Sequence, residues 1–300
     1  MILILGGMGF IGLNMARRLL EAGESVVLTY HNARREPEFL KAEMGKRVFT
    51  ESLDITSHHD VVEVARKHGA TGIINFVAPP VRSNLTAGGE YRIQMEGLIN
   101  VLEAARVLGV PRVTLASSST VYAGIKSGPY TEDMALPVDS RSATEAFKKA
   151  WEVLALHYAD RAGVDVGLFR MRGVFGPLYY SLVNAPSRMA HAAVKGVPVD
   201  FGTAVAGIYG GAPSASNVPF EEDEQEFCYV KDLVEGIYRI QTDPKLPHRI
   251  YNVGLGRAYK FKELAEAVQA AVPGYEVKPA ARGEPRRRAR ESVPGHKPDP

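Results

Sequence analysis

A single cysteine, Cys228, occurs among the 300 residues, so no disulfide can close within the chain. That usage fits a reducing compartment and predicts a cytoplasmic protein. Long apolar runs are missing as well. Gly, Pro or charged residues interrupt each strongly hydrophobic stretch before it reaches the roughly 20 residues that span a bilayer, so no membrane segment is expected. The opening MILILGGMGF has no basic flank and runs straight into a glycine-rich turn, so it reads as a strand and not a signal peptide. An excess of either charge is lacking: a formal net charge of +2 gives no reason to expect a nucleic-acid partner. No metal site is expected. Two local runs remain. The acidic one, Glu221, Glu222, Asp223, Glu224 and Glu226, reads as solvated surface. The basic one, Arg282, Arg286, Arg287, Arg288 and Arg290, leaves Arg282 open as a contact for an anionic small-molecule substrate.

What is present is 45% apolar residues, enough to bury a large core in one big domain or two smaller ones. The first half alternates short β-like runs at 2–5, 25–29, 47–51, 72–77, 112–117 and 165–170 with amphipathic stretches at 11–22, 60–68, 91–108 and 143–162. That rhythm predicts an α/β fold, a doubly wound parallel sheet of the Rossmann type. It breaks after about Phe175. Helical stretches at 231–241 and 260–271 flank a short strand at 250–253, and 202–219 reads as a long loop rich in Gly, Ala, Ser and Pro. The last 20 residues, with four prolines, read as poorly ordered. The division expected is a dinucleotide-binding domain at 1–172 and a smaller substrate-binding region at 173–300, partly interwoven with it.

Gly6, Gly9 and Gly12 fall between the strand MILIL and the helix that Phe10 and Ile11 open. In that context glycines let the backbone turn tightly and approach a pyrophosphate, while the helix N-terminus receives its charge. NAD binding normally places an acid at the end of the second strand. Thr29, Tyr30, His31 and Asn32 stand there instead, and Arg34 and Arg35 follow within reach of a 2′-phosphate. The cofactor expected is therefore NADP or NAD, with NADP favoured. Val77 and Ala78, after the fourth strand, complete the expected cofactor-binding set.

Other motifs join the glycine turn: Asp54-Ile55, Ser117-Ser118-Ser119-Thr120-Val121-Tyr122, Phe175-Gly176-Pro177, Glu226-Phe227-Cys228-Tyr229-Val230-Lys231-Asp232 and Tyr251-Asn252-Val253-Gly254. Together they make the chain resemble the extended short-chain dehydrogenase/reductase family, which includes UDP-galactose 4-epimerase and nucleotide-sugar dehydratases. The resemblance implies that Asp54 and Ile55 contact adenine, that Ser118 hydrogen-bonds the reacting oxygen, and that Lys148 holds the nicotinamide ribose. Glu152 sits where relatives often carry an acid. Family members commonly pair two helices across a two-fold axis, which implies a homodimer here.

The resemblance also shows departures. The family's tyrosine, four residues before the lysine, is Thr144 here. A phenol can be brought near neutrality by an adjacent ammonium, and an aliphatic hydroxyl cannot. Gln94 stands where the family has an asparagine that fixes a helix bulge, and Ser119-Thr120 replaces the Asp-Glu pair of the 4,6-dehydratases. Phe147, Trp151, Leu154 and Tyr158 recur at helical spacing as a core face, turning Thr144 inward, and Glu145–Lys149 reads as an exposed ion pair. Three answers to the missing phenol stay open. Another tyrosine could reach the substrate, from Tyr122, Tyr130, Tyr179 and Tyr180. Thr144 could relay a proton with acidity from Glu145, Lys148 or the substrate. Or the protein binds NADP, as a redox sensor does, without turning it over. The substrate-binding set is Ser118, Ser119, Tyr122, Tyr179, Tyr180, Asn184, Arg188 and Arg282. The function expected is hydride transfer on a small hydroxyl or carbonyl substrate, such as a sugar nucleotide, by an epimerase/dehydratase-type enzyme.

Overall fold

The computed structural model describes residues 1–32, 34–35, 37–79, 85–126, 128–179, 184–199, 201 and 219–277. Tyr180, Arg282 and the rest of the basic run, the loop up to residue 218 and the last 20 residues lie outside these. In chain order the elements begin β1 (Ile2–Leu5), α1 (Phe10–Glu21), β2 (Val26–Tyr30), α2 (Glu38–Lys41), β3 (Val48–Ser52), α3 (His58–Lys67) and β4 (Gly72–Asn75). Next come α4 (Ala87–Tyr91), a π-helical turn over Arg92–Glu96, α5 (Gly97–Leu108), β5 (Val113–Ser118) and a 3-10 turn at Ser119–Tyr122. After these follow α6 (Ala143–Ala162), β6 (Val166–Met171), β7 (Val174–Phe175) and α7 (Ala185–Lys195). The last are β8 (Glu224–Gln225), β9 (Cys228–Tyr229), α8 (Val230–Thr242), β10 (Ile250–Val253), β11 (Tyr259–Lys260) and α9 (Phe261–Ala271).

Seven strands form one parallel sheet in the order β10-β6-β5-β4-β1-β2-β3. The direction of winding reverses between β1 and β4, and in open α/β sheets ligands bind at such a switch point, beyond the carboxyl ends of the strands. All four residues of β1 are buried, as expected of a parallel strand covered on both faces. Its alternate side chains serve two cores. Leu3 and Leu5 pack with residues of α3, α5 and α6, while Ile2 and Ile4 pack with residues of α1 and α8. The stretch expected to be one helix at 91–108 is α4, the π turn and α5, because the apolar periodicity continues through the wider turn and conceals it.

The chain divides into two compact units. The first comprises Met1–Asn184 and Glu226–Ala258, and the second Ala185–Gln225 and Tyr259–Pro300. The first holds the sheet. The second has its own small core of Met189, Phe201, Phe261 and Val277.

Candidate active site

The glycine turn is built for close approach. Gly6 adopts φ +72°, which L side chains rarely accept, and its N–H donates to Thr29 Oγ1 at 3.1 Å. A Cβ on Gly12 would lie 2.6 Å from the carbonyl oxygens of Gly6 and Gly7, so only glycine lets α1 sit this close to the turn. Gly9 caps α1 with no side-chain hydrogen bond, and no acid stands in the first turn. The N–H groups of Phe10, Ile11 and Gly12 therefore face outward unscreened, as an anionic pyrophosphate requires. This cradle, which a side chain would fill, fits a dinucleotide.

The flanking cofactor candidates gather around the same strand ends. A Cβ on Gly6 would meet Val77 at 3.3 Å, and Val77 N–H donates to Asn75 Oδ1 at 2.9 Å; Ala78 beyond is exposed. Asp54 Oδ1 accepts from the N–H and hydroxyl of Thr56 at 2.9 and 2.8 Å. Ile55 is buried with its side chain against Gly97, and its carbonyl accepts from Asn100 Nδ2 at 2.9 Å. Asn32, Arg34 and Arg35 are exposed past β2.

On the other side of the switch point Ser118 ends β5. Its Oγ accepts from Thr120 N–H at 3.2 Å and from the Thr120 hydroxyl at 3.0 Å, leaving its own proton to donate. Ser119 opens the 3-10 turn, half-buried. α6 packs on β5 and on this turn and carries the lysine. Lys148 is 5% exposed, and Nζ lies 3.6 Å from the centre of the Trp151 ring. Burial pulls its pKa from 10.5 down to about 7, with the Glu152 carboxylate opposing. The indole face also favours the ammonium. Trp151 is fixed in turn by donating Nε1–H to the Gln94 carbonyl at 2.8 Å, within the π turn. The wider turn thus forms with Gln94 where asparagine was the expected residue, and the Gln94 side-chain oxygen is buried without a hydrogen-bond partner among the described residues.

Thr144 is exposed. It lies on the same side of α6 as Lys148 and the buried line Trp151, Ala155 and Ala159, one turn before the lysine, and its exposure comes from its place in the first turn of the helix. Leu154, expected in the core, falls one position off that line and is 40% exposed. The Glu145–Lys149 pair is corrected too. It is buried: Glu145 takes Lys149 Nζ at 2.8 Å and the Arg141 N–H at 3.0 Å, and Lys149 also donates to the Asp139 carbonyl. It pins the approach to α6 and leaves Glu145 no role as an exposed acid.

Tyr122 is likewise withdrawn from the substrate side. It is 3% exposed, and its hydroxyl accepts from Arg170 Nη1 and lies 2.8 Å from Asn252 Oδ1 and 3.1 Å from the Thr131 carbonyl. Tyr130 stacks on its ring at 4.9 Å between centroids. Arg170 holds Glu152 in a fork, Nε to Oε1 at 2.9 Å and Nη2 to Oε2 at 2.7 Å, and Ser117 donates to Oε1 as well. Burial works against the guanidinium's charge, but the Glu152 carboxylate and the Tyr122 hydroxyl overcome it and keep Arg170 above its usual range.

Tyr179 packs on the cofactor turn itself, its ring 4.6 Å from that of Phe10. Asn14 Nδ2 donates to the carbonyls of Phe10 and Pro177 at 2.9 and 3.1 Å, tying α1 to the turn before Tyr179. Asn184 donates to the Val174 carbonyl at 2.6 Å, and Arg188 is buried within α7 of the second unit. Asn14, Arg170 and Trp151 were not read as site residues. Asn14 and Arg170 each left a signal, a polar residue on an otherwise apolar helix face or strand. Among the described residues no group of three or more His, Cys, Asp and Glu is arranged for a metal, and no helix is long and apolar enough to cross a membrane.

The family model of the NAD dependent epimerase/dehydratase family matches residues 2–254. The UDP-glucose 4-epimerase of Mus musculus is 28% identical over 90% of this chain and 82% of its own length. A probable UDP-glucuronate 4-epimerase of Rhizobium meliloti (strain 1021) is also 28% identical, again over 90% of this chain and 82% of its own. The crystal structure of the Thermus thermophilus UDP-glucose 4-epimerase in complex with NAD superposes with a TM-score of 0.72 at 24% identity, covering 93% of this chain and 86% of that one.

Proposed function

The chain belongs to the NAD dependent epimerase/dehydratase family, and from that premise we propose that it is a cytoplasmic enzyme acting on a sugar nucleotide by reversible hydride transfer. The observation that carries this reading is the retention of Ser118 and Lys148 on two elements that pack together beside a glycine cradle. A nicotinamide dinucleotide held there would supply the hydride acceptor for a carbinol carbon of the substrate, the hydroxyl proton leaving to water, and would return the hydride in the reverse direction. Gly6, Gly9 and Gly12 seat the pyrophosphate, with Phe10 and Ile11 offering N–H groups. Asp54, Ile55, Val77 and Ala78 border the adenosine side. Lys148, as the ammonium, donates to the ribose of the nicotinamide half. Ser118 donates its free proton to the substrate oxygen whose charge changes during the transfer. Thr144 has the supporting role of orienting that oxygen or a water, because an aliphatic hydroxyl lies too many pKa units above neutrality to exchange a proton alone.

Several finer assignments rest on the same reading. NADP is preferred to NAD, since β2 ends without an acid and Arg34 and Arg35 follow it. The region from residue 173 onward supplies sugar-nucleotide contacts, with Arg188 and Arg282 as candidates for its anion and Asn184 as a polar partner. The protein is a homodimer, because Ile99 and Val107 on α5 and Val153 and Leu154 on α6 stay exposed on helices that pack on each other. The exposure of Thr144 and the withdrawal of Tyr122 favour one rival, a protein that binds NADP without turnover. Incubating the purified protein with UDP-glucose, UDP-glucuronate or dTDP-glucose and following product by NMR separates the two. Conversion of at least one nucleotide sugar supports the enzyme, and tight dinucleotide binding with no conversion of any supports the rival.

A further inference from the structure

The buried pair Glu152–Arg170 holds more partners than an ion pair needs. Glu152 stands one turn beyond Lys148 on α6, and its carboxylate is taken by Arg170 of β6 and Ser117 of β5. Ser117 is the residue before Ser118, and it lies opposite Arg170 in the β5–β6 register. On β10 the residue opposite Arg170 is Asn252. The third arm of the guanidinium reaches the Tyr122 hydroxyl and the Glu132 carbonyl. Asn252 then closes the circle, accepting from or sharing the proton of Tyr122, donating Nδ2–H to the Tyr130 carbonyl at 3.0 Å and its own N–H to Glu132 Oε1 at 2.7 Å. One carboxylate and one guanidinium thus join the strand that ends in Ser118, the helix that carries Lys148, and the segment 130–132 between them.

Stability does not account for this arrangement. A buried ion pair gains little over apolar residues of the same shape, whereas losing one partner is costly. What the pair does provide is a fixed geometry: a bidentate fork accepts one rotation and one axial position of the helix. We infer that Glu152, held by Arg170 and Ser117, with Tyr122 bracing the guanidinium, is the positioning residue that presents Lys148 to the dinucleotide ribose alongside Ser118. The inference rests on the assignment of Lys148 to that ribose. Other charged groups are placed differently. On α6 itself Glu145 and Lys149 satisfy each other, α5 offers Glu103 but gives it to Arg106 and Tyr158, and in the π turn Arg92 and Glu96 pair with each other at the surface while the buried Gln94 is neutral. Glu152, one turn along the same helix face and backed by Arg170, is therefore the acid whose field acts on the Lys148 ammonium.

Calorimetric titration of NADP and NAD into the full-length protein between pH 6 and 10 tests this. In the wild type, affinity should fall as Lys148 loses its proton. In Glu152→Gln, which keeps the shape and removes the charge, that fall should move about one pH unit lower, a tenfold weakening near neutrality. Tyr122→Phe should move it the same way by less. Should Glu152→Gln fail to fold, the charge-free Glu152→Leu/Arg170→Met variant carries the test: it should melt like the wild type yet bind about tenfold more weakly, because the lysine helix has lost its register. Lys148→Met is the control. If it binds as the wild type does at every pH, the ribose assignment falls and the inference with it. If it binds weakly while the Glu152 variants keep wild-type affinity and pH dependence, the inference alone is overturned.

Discussion

Replacing Lys148 by Met in the ligand-free protein should stabilise it in acid and leave it little changed in alkali. Lys148 is 5% exposed and burial draws its pKa from 10.5 to about 7. Between those two values the unfolded chain binds the proton and the folded protein releases it, so stability rises with pH across that window. Below about pH 7 both states are charged and the full burial cost is present. Above about pH 10.5 both are neutral and the cost is gone. The shift corresponds to about 5 kcal/mol at most. The Trp151 face at 3.6 Å favours the ammonium by about 1–2 kcal/mol, which leaves about 3 kcal/mol as the working figure. Methionine has nearly the same length and no charge, so the difference between variant and wild type isolates this one group. Urea unfolding of both proteins at pH 6.5 and pH 10 should give a stabilisation of about 3 kcal/mol at the lower pH that mostly vanishes at the higher. A difference that is the same at both values would refute the argument, because it would mean that the lysine is no more easily deprotonated folded than unfolded.

Three more outcomes follow from the proposed function. NADP should bind more tightly than NAD by calorimetry, and Arg34→Ala/Arg35→Ala should weaken NADP by about tenfold or more while sparing NAD; equal binding of the two cofactors by the wild type refutes the assignment. Thr144→Val should cost turnover less than the roughly 100-fold that marks loss of a general acid or base, with Lys148→Ala the more severe change; full inactivation by Thr144→Val with dinucleotide binding intact would make the threonine itself catalytic. Light scattering should give a dimer mass for the wild type at micromolar concentration and a monomer mass for Leu154→Glu, since a charge buried without a partner is not tolerated at an apolar interface.

Much of the fold could be read in advance because its signals are local. The alternation of β-like runs with amphipathic stretches placed β1 to β6, within one or two residues of where the strands lie, and α6 fell on 143–162 because Ser142 caps one end and Gly163, at φ +68°, closes the other. The π turn at Arg92–Glu96 escaped notice for the opposite reason. It adds one residue to a turn without changing which residues are apolar, and it is held by a bond from Trp151, a partner 57 residues away.

The candidate site divides along the same line. Gly6, Gly9 and Gly12 were legible because a backbone requirement leaves glycine little alternative, whereas Lys148 was singled out by the family resemblance, its four-residue spacings to Thr144 and Glu152 adding only that the three share a helix face. Tyr122 was misplaced because its motif gives its neighbourhood but not its partner: whether its hydroxyl reaches a substrate or the chain is decided by Asn252, 130 residues on. Arg170 carries the same lesson in a stronger form. A lone arginine inside a buried strand must be paired, since an isolated charge there would cost several kcal/mol, so the sequence announces that an acid waits somewhere. It does not say which one. The candidates by spacing alone include Glu145, and Glu145 turns out to be committed to Lys149, which leaves Glu152 for Arg170 and brings the buried charge to within one helical turn of the lysine. The missing phenol is thus offset by no other tyrosine among Tyr122 and its neighbours in that network; the charge that the site does command sits on Lys148 and on the pair that fixes it. Outside that network Tyr179 stands at the cofactor turn against Phe10; the other proton sources are Lys148, water and the substrate itself, and because Lys148 also holds the ribose in the proposed function, its replacement should cost more than that of the threonine.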